Sequence, residues 1–121
     1  MDNELFELCK EVYNRTAWYG TALLITESGP TMVGPMDKDS SVPLYTSDFL
    51  LEKLPTSIPR LKEGVSRDII MDTGYVKGEF VWRFRYDNGF EMDGTIEAFA
   101  DTPLKALLKL VIALDDAGVK L

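Results

Sequence analysis

Asp37-Lys38-Asp39-Ser40-Ser41, with Asp48 eleven residues after Asp37, approximates the ligand offsets of a calcium loop. Such a loop needs a glycine at its sharp turn. Val42 stands there instead and Pro43 follows, so a solvated loop is the better account and no metal is expected. A second acid-rich stretch, Asp87, Glu91, Asp93, Glu97 and Asp101, could in principle supply an acid–base pair. Nothing in its spacing selects two carboxylates, and with 20 acidic residues in 121 such clusters arise by chance. Arg83 and Arg85, interleaved with Phe80, Trp82, Phe84 and Tyr86, suggest base stacking with phosphate contact. Strand alternation puts the aromatics on the face opposite the arginines, which reads as core on one side and ion pairs on the other.

Two further groups suit binding rather than catalysis. Trp18-Tyr19 either roofs the core edge or lines a pocket. Met32, Val33 and Met36 lie between Gly29-Pro30 and Asp37/Asp39, in a stretch with no periodic pattern. They form either a flap of the core or a contact surface whose acids steer a basic partner.

Composition narrows the chemistry. There is no His, which removes Ser–His and Cys–His pairs and His-ligated zinc. Cys9, the single cysteine, excludes an internal disulfide and falls within an apolar stripe, as a buried structural thiol would. Thirteen basic against 20 acidic residues give a net charge of −7, which repels phosphate backbones, so no nucleic-acid partner is expected. The acidic start Met1-Asp2-Asn3-Glu4 is unlike a signal peptide, and no apolar run approaches the roughly 18 residues of a membrane span. A cytoplasmic location away from membranes is the expectation.

The elements that must position these residues are legible in part. Leu5, Phe6, Leu8, Cys9, Val12 and Tyr13 predict a helix from Asp2 or Asn3 to about Thr16. Residues 21–26 read as a strand and 28–43 as loop, with a short strand possible at Thr31-Met32-Val33. Thr46 or Ser47 caps a short helix stopped by Pro55. Residues 56–64 read as turn, and Asp68–Met71 as a strand ended by Asp72-Thr73-Gly74. A three-residue Asp87-Asn88-Gly89 loop predicts a hairpin pairing Tyr86 with Phe90, Phe84 with Met92, Trp82 with Gly94 and Phe80 with Ile96. Arg85 then faces Glu91, and Arg83 faces Asp93. Asp101 or Thr102, Pro103 and Gly118 bracket a final helix with Leu104, Leu107, Leu108, Val111, Ile112 and Leu114 buried, Leu110 marginal, and Lys105 and Lys109 solvated.

The expected fold is a single α+β domain over residues 1–121. It has an antiparallel sheet of about three to five strands, terminal helices mainly on one face and a short middle helix. The stretches Leu44-Tyr45-Thr46-Ser47-Asp48-Phe49-Leu50-Leu51-Glu52-Lys53-Leu54-Pro55 and Ala100-Asp101-Thr102-Pro103-Leu104-Lys105-Ala106-Leu107-Leu108 resemble small uncharacterised proteins encoded by tailed phages and prophages. The resemblance implies a host bacterial cytoplasm and an accessory role, and it carries over no site residues. The expected function is a non-catalytic, acidic interaction module without cofactor that binds a protein, either a host protein or a second copy of itself. The alternative is a small-ligand (nucleotide or metabolite) binder with a pocket at an oligomer interface, using Trp18, Tyr19 and a basic residue such as Arg67 or Lys77.

Overall fold

The computed structural model describes residues 3–19, 23–31, 41–54, 57–59, 66–87 and 96–118. In chain order the elements are α1 (Asn3–Thr16), β1 (Leu24–Thr26), β2 (Gly29–Thr31), β3 (Val42–Pro43), α2 (Ser47–Lys53), β4 (Ser57–Pro59), β5 (Ser66–Val76), β6 (Glu79–Asp87), β7 (Ile96–Ala100) and α3 (Pro103–Asp116). The chain is α+β with a helix near each end and a short one between, as the pattern predicts. The strands divide into two antiparallel sheets, ordered β2-β1-β3 and β4-β5-β6-β7.

Helix ends follow local chemistry. Thr46 and Thr102 hold extended backbone, and their hydroxyls accept from the N–H groups of Phe49 and Lys105, satisfying donors that the first turn leaves free. Gly118 adopts a positive φ just beyond α3, where a left-handed residue closes the helix. Ala17 adopts the same region after α1, at some cost for a residue with a Cβ.

The apolar breadth of α3 follows from its surroundings. It packs on β6 and β7 on one side and on α1 and α2 on the other, while β1 and β3 cover α1. Leu107, Leu108, Leu110, Val111 and Leu114 are therefore fully buried in one cluster with Phe6, Cys9, Val12, Ile25, Val42, Tyr45, Leu50, Phe84 and Tyr86. Leu110 is thus central, not marginal. Lys105, expected in solvent, is only 6% exposed. Its ammonium lies 3.3 Å from Glu4 and 3.5 Å from Asp101, and this pairing lets its stem pack inside.

The hairpins correct the sequence reading. A two-residue turn, Lys77-Gly78, joins β5 to β6, with both residues at positive φ, the geometry that matches strand twist. Strand β5 therefore runs through Asp72-Thr73-Gly74 to Val76 instead of ending there. Strand β6 pairs with β7 six residues beyond the expected register: Tyr86 with Ile96, Phe84 with Ala98 and Trp82 with Ala100. An even shift preserves sidedness, so the aromatics still share one face and the arginines the other. Arg83 and Arg85 consequently stand opposite Phe99 and Glu97, not Asp93 and Glu91. Ser57–Pro59, expected as turn, pairs with β5, and Gly29–Thr31 pairs with β1 across Glu27-Ser28.

Candidate functional site

The β5–β6 hairpin outruns the helix that covers its base. On the α3 side, cross-strand pairs are Met71–Phe84, Thr73–Trp82 and Tyr75–Phe80. Burial falls steadily along β6, from Tyr86 (0% exposed) and Phe84 (7%) through half-buried Trp82 to Phe80 (45%). Tyr75, opposite Phe80, is 75% exposed, and Met71 is exposed as well. The rings nevertheless touch one another: Tyr75 meets Phe80 edge-on at 5.6 Å, and Phe80 meets Trp82 edge-on at 5.9 Å. These edge-on contacts bring the three rings together without a covering layer. Phe80, expected beneath the closing helix, lies beyond its reach.

The opposite face of the same hairpin is polar at its centre. Arg83 grips Asp72 through two donors, Nε to Oδ1 at 2.8 Å and Nη2 to Oδ2 at 2.6 Å. Glu97 is 3.7 Å from Arg83, and Arg85 is 3.7 Å from Asp72. The guanidinium of Arg83 holds the Asp72 carboxyl below the usual carboxylate range, with Arg85 adding to the effect. Beside this network is an open groove of about 370 Å³ lined by Gly74, Val76, Val81 and Phe99 with the charged residues.

Of the residues singled out by sequence, Trp18 packs edge-on against Phe49, and its carbonyl accepts the Tyr45 hydroxyl at 2.7 Å. That is the core-edge position, while Tyr19 beside it is exposed. Cys9 is fully buried, and burial pushes its thiol up to about 11, away from reactivity at neutral pH. Met32, Val33, Met36, Asp37 and Asp39 lie outside the described residues. No group of three or more metal-ligating side chains occurs among the described residues. Glu97 and Asp101, from the acid-rich stretch, each face a cation.

Sequence reading missed Met71, Tyr75 and Phe80 as a surface. The signal was Val76-Lys77-Gly78-Glu79, a two-residue turn flanked by alternating strands on both sides.

No family model, curated protein or solved structure matches this chain. The surface itself is therefore what bears on function. Among the described residues, no helix is long and apolar enough to cross a membrane.

Proposed function

We propose that this chain is a non-catalytic interaction module that binds a protein partner on the aromatic face of the β5–β6 hairpin. The observation that carries the reading is the exposure of Met71, Tyr75 and Phe80 on one face of the hairpin, with Tyr75 and Phe80 in edge-on contact. Aromatic and Met side chains of this kind are enriched at recognition surfaces and depleted on inert ones. The net charge of −7 favours a partner whose rim is basic. The resemblance to small phage proteins makes a host bacterial protein the expected partner, met in the host cytoplasm.

The test is a paired capture experiment with the unaltered chain and a Tyr75→Ser/Phe80→Ser double variant, followed by calorimetric titration of whatever protein separates the two. The variant is expected to keep its far-UV spectrum and to bind at least about tenfold more weakly, as loss of two central aromatics should produce. Equal binding by both forms would refute this assignment.

A second reading, a small-ligand binder, draws support from the groove between the Asp72–Arg83 pair and Phe99. Titration against nucleotide and metabolite panels, with Arg83→Ala as the control, separates it from the first.

A further inference from the structure

Among the described residues, the edge strands are guarded. The edge strands β2, β3 and β4 each contain a proline, Pro30, Pro43 and Pro59, which withholds a ladder donor. The remaining edge strand, β7, is five residues long and carries Glu97. Strand β5 differs from all of these. Its partner β4 reaches only from Ser66 to Asp68, so on that side Met71–Val76 has no neighbouring strand among the described residues. The stretch contains no proline and no lysine, and its one charge, Asp72, is already held by Arg83.

The turn fixes which backbone groups are spare. Val76 and Glu79 flank the two-residue loop and form a hydrogen-bonded pair, so Gly74 and Asp72 also bond to β6. The N–H and C=O groups of Met71, Thr73 and Tyr75 then point outward. They form a template for one more antiparallel strand.

We infer that the occupant of this edge is a second copy of the chain, joined β5 to β5 about a two-fold axis at Thr73. In that register Met71 stands beside Tyr75 of the second copy, Ile70 beside its Val76, Asp72 beside its Gly74, and Thr73 beside its Thr73. All four large apolar residues exposed on β5 find apolar partners. The acid meets a glycine around which a Cβ would touch nothing, so no like charges oppose and there is room for the Asp72–Arg83 pair. Centring the axis one residue earlier would set Asp72 against itself. The two-fold is isologous and closed, so the product is a dimer and not a fibre. In it β7-β6-β5 of each copy form one continuous sheet across the axis, with each β4 flanking its own β5 beyond the second copy's turn. Both aromatic faces lie on the same side of that sheet. The inference goes beyond the protein-binding reading and does not depend on it.

The experiment is sedimentation velocity over a wide concentration range, because pairing of the short stretch 70–76 makes a small, reversible interface. The unaltered chain is expected to shift from the mass of one chain toward that of two. Thr73→Pro removes only an outward N–H and should stay monomeric at every concentration; if it loses its fold, Met71→Lys is read instead. Thr73→Cys sits on the axis and should form a disulfide-linked dimer on mild oxidation, while Asp72→Cys, opposite Gly74, should not. Buried Cys9 does not compete. A chain that stays monomeric throughout overturns the inference. So does undiminished dimerisation of both edge variants, or cross-linking of Asp72→Cys as fast as Thr73→Cys. The Tyr75→Ser/Phe80→Ser capture test reads a different protein in the bound fraction, so the two proposals fail separately.

Discussion

The two ends of strand β6 obey one sequence pattern and meet different fates. Tyr86 and Phe84 lie beneath α3 in the shared core, whereas Phe80, on the same face, stands in solvent beside Tyr75. Alternation assigns a side chain to a face but says nothing about what lies over that face. Coverage is decided by how far α3 extends, and the hairpin continues past the residues it packs against. A pattern that reads as uniform core thus splits into a structural half and a presenting half.

The largest effect that would sharpen this contrast is Tyr86→Ala. It should cost about 3–5 kcal/mol in chemical unfolding, the range for deleting a fully buried aromatic. An effect below about 1 kcal/mol would mean that the covered half is not core. Lys105→Ala, at the junction of α1 and α3, should cost about 1–2 kcal/mol. This is less than for a fully buried pair, because Glu4 and Asp101 are partly exposed and can regain water. Gly74→Thr should act in the opposite direction. Its position is extended and uncrowded, so a β-branched residue should stabilise the open half by about 0.5–1 kcal/mol. Phe80→Ser should change stability by less than about 1 kcal/mol, since little of the ring's environment is lost.

The smallest effect concerns acid. The Asp72 carboxyl titrates lower in the folded chain than in the unfolded one, so its contribution is present above the unfolded value near 4 and fades as pH falls through the folded one. Asp72→Asn should flatten that part of the stability–pH curve by lowering stability slightly at neutral pH, where the contribution is fully present, while the two chains converge in acid. The difference is small, as befits a part-exposed pair. A steeper acid limb in the variant would contradict the Arg83 assignment.

Local chemistry was the legible part. Thr46, Thr102, Pro103 and Gly118 announce helix ends because capping depends on neighbours a few residues away. The first helix and its buried Cys9 were legible for the same reason. The central hairpin was not, because Asp87-Asn88-Gly89 is the stronger turn signal by composition and drew the register away from Lys77-Gly78. Asp72 and Gly74 are weak strand formers, and only pairing with Arg83 and Val81 keeps them in β5. Lys105 defied its polar type because its partner Glu4 lies at the far end of the sequence. The candidate surface was hidden by the same limit: exposure of Tyr75 and Phe80 is a property of what α3 leaves bare.

The ion pairs between the outer helices carry a consequence for the order of events in synthesis. Glu4 meets Lys105 near the start of α3, and Arg15 meets Asp115 and Asp116 at its end, so α1 and α3 run parallel along their lengths. Helix α1 is completed by α3, with residues 17–102 emerging in between. Until residues 103–116 arrive, the face carrying Phe6, Cys9 and Val12 lacks its largest cover, and this long-range closure comes late in folding. Cys9, buried in the folded chain, offers a readout of that closure: a thiol reagent is expected to label it while the helix face is uncovered and to be excluded once the core has formed.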